Sequence, residues 1–139
     1  MHPGSIHRHA QFYADAANGS LRPKFMLILA APAGDDLVFR VLTSKPRPET
    51  PACYHGAPYS SYFLGTVGGL LPRKTWVDLR KQPDFDIDTF TAGVRKQVIT
   101  PAGQLPDSVL AEVLACTAAS DDATNAQARK MREVLAGMR

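Results

Sequence analysis

Apolar and polar positions change rhythm along this chain. Up to about residue 100 the apolar residues come in short runs or alternate with polar ones, as in β-strands; beyond residue 106 they recur at helical spacing. Ser5 to Tyr13 predicts a first strand, in which Ile6, Arg8 and Ala10 alternate with His7, His9 and Gln11. The loop Ala14 to Ser20 carries Asn18-Gly19, a turn signal. Phe25 to Ala31 is continuously apolar and reads as a central strand. Pro32-Ala33-Gly34-Asp35-Asp36 makes a tight turn, and Leu37 to Thr43 returns as a third strand, in a hairpin with the second. Pro46, Pro48, Pro51 and Pro58 then exclude a central strand or a helix interior, so 45–58 is a long loop. Tyr59 to Val67 predicts a further strand, broken by Gly68-Gly69, and Thr75 to Leu79 another.

After Pro83 the period lengthens. Asp86, Ile87, Asp88, Phe90 and Val94 fit a short helix with acidic residues at its positive end. Val98-Ile99-Thr100 makes a last short strand. Pro106-Asp107-Ser108 opens a clear helix with Val109, Leu110, Val113, Leu114 and Thr117 on one face. Ser120-Asp121-Asp122 interrupts, and a final helix from about Ala123 to Ala136 carries the stripe Met131, Val134, Leu135, Met138. Strands first and amphipathic helices last predict a mainly β, α+β chain: a small, strongly curved antiparallel sheet or barrel packed by C-terminal helices. The 139 residues suit a single domain, 1–139, with 120–139 as a helical extension.

Composition narrows the class. No apolar run approaches the roughly 18 residues of a membrane span, and the N-terminus lacks the apolar stretch of a secretory signal. Cys53 and Cys116 have no metal-like spacing, and two cysteines make no disulfide framework. A reduced, cytoplasmic setting without membrane contact, cofactor or metal is expected. The net charge of +3 is unevenly spread: residues 1–82 hold ten Lys/Arg against five Asp/Glu, and the remainder six against eight. A polyanion would therefore meet the front of the chain.

The candidate chemistry sits at strand ends. Arg22-Pro23 leads into the second strand and Thr43-Ser44 ends the third, so a planar fork of donors and two hydroxyls can converge on an anion. Lys24, Arg73 and Lys74 add charges suited to phosphates, and Trp76 offers a ring for stacking on an unpaired base.

These pieces, in this order, resemble the PemK/MazF-like toxins of bacterial type II toxin–antitoxin systems. The matching residues are Gly4-Ser5-Ile6 at the first strand, Arg22-Pro23 before Phe25-Met26-Leu27-Ile28-Leu29, Leu42-Thr43-Ser44, and the helix motif Leu105 to Leu114. The resemblance covers roughly residues 4–44 and 98–119. It implies a small SH3-like, CcdB–MazF-type barrel, a homodimer, and a metal-independent endoribonuclease that cleaves single-stranded RNA and is neutralised by a cognate antitoxin. By that resemblance Arg22 would hold the scissile phosphate and Thr43, with Ser44 beside it, would position it. The acid usual after the long loop is missing, since Ser60 to Thr66 contains none. The general base is left open among His7 and His9, which share a strand face, and Asp78.

Overall fold

The fold is taken from a computed structural model of the chain, which describes residues 1–67, 71–82 and 85–138. Among these residues, seven strands and three helices follow one another as β1 (Ser5–Ala14), β2 (Leu21–Ala30), β3 (Val38–Thr43), β4 (Cys53–Tyr54), β5 (Ser61–Val67), β6 (Leu71–Asp78), α1 (Ile87–Arg95), β7 (Ile99–Gln104), α2 (Asp107–Ala118) and α3 (Asn125–Gly137). All strands join one sheet in the order β4-β5-β6-β3-β2-β1-β7, with antiparallel pairing throughout. The fold is thus α+β, mainly β, and the sheet is open, with β4 and β7 as its edges. The expected hairpin of β2 and β3 lies at the centre, in the register Met26↔Val41 and Ile28↔Phe39. The β1–β2 turn passes through Gly19 at φ 72°, a left-handed conformation that glycine adopts without a Cβ penalty.

The pleat divides β2 between two cores. Leu27 and Leu29 point to one side, with Ile6, Val38, Leu42 and Val77, and are covered by Leu110, Val113 and Leu114 of α2 and Met131 of α3. Met26 and Ile28 point to the other, with Phe39 and Val41, and meet Phe90 of α1 and Ile99. Phe85 stands edge-to-face against both Phe39 and Phe90, with centroids 5.6 and 6.0 Å away. The Asp86 carboxylate accepts from the Asp88 amide to start α1, and the Thr124 hydroxyl accepts from the Gln127 amide to start α3.

Three features of the fold bear on the site. The α3 stripe is used within the chain: Met131 is fully buried, and Val134, Leu135 and Met138 pack against the core. Cys53 and Cys116, expected as free thiols, form a disulfide with Cα atoms 5.8 Å apart. Sequence spacing of 63 residues hides a contact made only when the β4–β5 edge folds against α2. Arg40 of β3 is completely buried. Its guanidinium donates to the carbonyls of Leu79, Phe39 and Asp122 and to Gln127 Oε1, all at 2.8–3.1 Å. The Gly68-Gly69 break lies outside the described residues, among which no helix is long and apolar enough to cross a membrane.

Candidate nucleic-acid interface

The ends of β2, β3 and β6 enclose a groove of about 330 Å³. Lys24, Lys45 and Arg73 bring three cations to it, and Thr43, Ser44 and Thr75 three hydroxyls, over apolar Phe25 and Leu42. Strand order explains the meeting. The sheet places β3 between β2 and β6, so a residue early in β2, one late in β3 and one early in β6 lie at the same end. The Lys45 amide donates to Thr43 Oγ1 at 3.1 Å, which fixes the turn leaving β3. Thr75 Oγ1 donates to the Arg73 carbonyl at 3.0 Å. Among the described residues, none of Lys24, Lys45 and Arg73 contacts a carboxylate. Burial pushes the Lys24 ammonium below its ordinary pKa; Asp78 opposes the shift, and Lys45 and Arg80 add to it.

Of the expected site residues, Lys24, Thr43, Ser44 and Arg73 come together here, and the others do not. Arg22 points to the β1–β2 turn, where its Nε holds Asp15 Oδ2 at 3.1 Å on the surface; the groove lining begins at Pro23. His7 is buried, its Nε2 3.0 Å from Ser5 Oγ and its ring edge-to-face with Phe90, so it belongs to the α1 core. Burial, the N-terminal ammonium and His2 lower its pKa. His9 stands against Phe12 with its Nδ1 accepting from the Gln11 amide at 3.2 Å, and burial lowers its pKa too. Asp78 is 4% exposed and locked to Arg80 by three contacts of 2.6–3.1 Å. Neither histidine lines the groove, although His9 pairs with Lys24 across the β1–β2 ladder, and Asp78 is committed to a guanidinium, so none of the three bases read from sequence is among the residues that line it.

Trp76 is not available for stacking. It is 3% exposed, its indole N–H donates to the Pro48 carbonyl at 3.0 Å, and its ring packs 5.1 Å from Phe63. Lys74, one residue from Arg73, alternates to the other side and meets Glu49 at 3.1 Å. Tyr62 donates to Glu112; burial and that carboxylate push its pKa up to about 12, so the phenol stays protonated.

Two contributors were missed by sequence reasoning. Lys45 directly follows Thr43-Ser44 and was readable from that adjacency. Thr75 was hidden in a strand whose pairing to β3 only the fold supplies. Comparison with family models, curated proteins and solved structures finds no significant match to the chain.

Proposed function

We propose that this protein is a toxin-type, metal-independent endoribonuclease that binds single-stranded RNA along the groove at the ends of β2, β3 and β6. The observation that carries the ligand is the convergence of Lys24, Lys45 and Arg73, without carboxylate contacts among the described residues, beside Thr43 and Ser44. Such a set suits a flexible phosphate backbone: cations supply sequence-independent affinity, and hydroxyls fix phosphate oxygens. The resemblance of the strand-entry and helix motifs supports the toxin class. It also supports a sheet curved toward an SH3-like, CcdB–MazF-type barrel and assembly as a homodimer with an antitoxin partner; the cytoplasmic setting read from the two cysteines requires their disulfide to be open there.

In this reading Arg73 and Lys45 stabilise the charge that develops on the scissile phosphate, and Thr43 and Ser44 orient it. Lys24 takes the general-base role that the sequence left open among His7, His9 and Asp78. A lysine depressed by burial carries a larger neutral fraction, which can accept the 2′-hydroxyl proton. Incubating the protein with single-stranded RNA in EDTA tests the activity. Cleavage is expected, lost in Lys24→Ala and in a substrate with 2′-deoxyribose at the cut. No cleavage of any sequence by a folded protein overturns the ribonuclease reading.

A second reading, a non-catalytic RNA-binding module, is favoured by one observation: no imidazole or carboxylate is among the described residues lining the groove. RNA binding that depends on Arg73 without cleavage would select it.

A further inference from the structure

The disulfide between Cys53 and Cys116 has a third member. His55 lies two residues after Cys53 on the segment leaving β4, and its Nε2 is 3.6 Å from both Sγ atoms. The two sulfurs and the imidazole nitrogen fall within 4.8 Å of one another. In a tetrahedral zinc site, with Zn–S of about 2.3 Å and Zn–N of about 2.05 Å, sulfur and nitrogen ligands stand about 3.6 Å apart. His55 thus already occupies a ligand's distance from each sulfur. Only the sulfurs must separate, to about 3.8 Å, which rotation of two side chains can supply.

We propose that, once reduced, Cys53, His55 and Cys116 form a zinc site, so that this corner of the molecule alternates between a disulfide and a bound metal ion. The disulfide first takes two electrons and two protons from a dithiol, which itself closes to a disulfide, leaving two thiols. Zinc then displaces one proton from each thiol. His55 Nε2 now faces the Cys116 carbonyl at 2.9 Å; it gives up that hydrogen bond and its proton moves to Nδ1, leaving a lone pair for the metal. The fourth position opens to a groove of about 450 Å³, and water fills it. Cys116 is buried on α2, Cys53 is half-buried beside β5 and His55 is exposed, so the ion has a path in and rigid elements on two sides. In either form the site ties the β4–β5 edge to α2. Thiolates select zinc over the harder cations magnesium and calcium. The site stands apart from the basic groove and does not depend on the RNA reading.

The test uses the full chain, reduced with a water-soluble phosphine that leaves as its oxide, then desalted without oxygen. Titration with Co²⁺ should give one ion per chain. A thiolate-to-metal charge-transfer band and tetrahedral d–d bands should appear, and one equivalent of Zn²⁺ should bleach them. The bands should vanish in Cys53→Ser and in Cys116→Ser, and the affinity should fall at least tenfold in His55→Ala. Absence of thiolate bands, or equal affinity in His55→Ala, overturns the proposal. If the reduced chain loses its native circular dichroism, recovery with one equivalent of Zn²⁺ supports the site, and failure to recover overturns it. Failure of this test leaves EDTA-resistant cleavage untouched, and the converse also holds.

Discussion

Arg40 and the cations of the groove stand near opposite ends of one short strand, and they have opposite surroundings. Arg40 sits where β3 meets α3 and the α2–α3 turn, fully buried, with donors directed at three backbone carbonyls and Gln127. Beyond Thr43, at the other end of β3, Lys45 shares an open groove with Lys24 and Arg73. Burying a charge is costly unless the fold supplies its partners. The fold supplies them for Arg40, so that arginine is a strut joining β3, the end of β6 and the α2–α3 corner. For the groove cations the fold supplies hydroxyls and apolar walls, and an anion must come from outside. What separates a structural charge from a binding charge here is who provides its acceptors.

The sharpest way to break this contrast is at the buried end. Arg40→Ala leaves several carbonyls without donors and removes a large buried side chain. A loss of more than about 3 kcal/mol is expected in denaturant unfolding. Leu114→Ala, in the same core and 0% exposed, should cost about 2–5 kcal/mol through cavity formation. A loss below about 0.5 kcal/mol for Arg40→Ala would mean that the corner around Asp122 and Gln127 is not held by this residue.

How much of this was legible beforehand follows the same division. Local patterns carried the elements: the first strand, the apolar run from Phe25 within β2 and the face Leu110, Val113, Leu114 appear in the structure, although on β1 His7 is buried and Arg8 exposed, against the alternation read there. What failed needed knowledge of neighbours. Trp76 looked like an open ring because its strand is half polar, yet the proline-rich loop folds over it and accepts its N–H. Arg40 carried no local signal of its role, because its acceptors come from residues 79, 122 and 127. The groove was half legible: Thr43, Ser44, Lys24 and Arg73 were named, and the choice of Arg22 as their centre was not supported, because Asp15 in the adjoining turn captures it.

At the open end, Lys45→Ala combined with Arg73→Ala should leave unfolding unchanged within about 0.5 kcal/mol, since neither side chain has a carboxylate partner to lose among the described residues. Affinity for single-stranded RNA, followed by fluorescence anisotropy, should fall about tenfold or more at low salt. The slope of log K against log salt should shrink by about 1.4, about 0.7 for each phosphate contact removed. An unchanged slope would remove the groove from the RNA path.

His7 gives a smaller effect, with a defined sign. Its imidazole is held below the ordinary value of 6.5, chiefly by burial. The unfolded chain therefore takes up a proton that the native chain resists, and stability falls as pH drops below about 6.5 until the native value is passed. His9, lowered by burial as well, contributes in the same direction. His7→Gln should reduce the fall in melting temperature between pH 7 and pH 5.5. Equal slopes in the two proteins would show that His7 does not titrate in this window.

The smallest effect is expected at Arg22, where the sequence placed the most. Its side chain is 49% exposed and its Asp15 partner 26%, so the pair is screened and worth little. Arg22→Ala should shift stability by less than about 0.5 kcal/mol and RNA affinity by less than about twofold, against the loss in the Lys45 and Arg73 variant. Asp15→Asn sharpens the comparison. It frees the Arg22 guanidinium without removing it, and it deletes a negative charge near the entry of β2. If Arg22 meets a phosphate in the bound state, Asp15 competes with the RNA, and Asp15→Asn should tighten binding in a way that Arg22→Ala cancels. In that case Arg22→Lys would keep the charge, lose the fork and impair cleavage nearly as much as Arg22→Ala. That pattern would move the centre of the site from the β3 end to the β1–β2 turn. Indifference of both affinity and cleavage to Arg22 and Asp15 would leave the site with Lys24, Lys45 and Arg73.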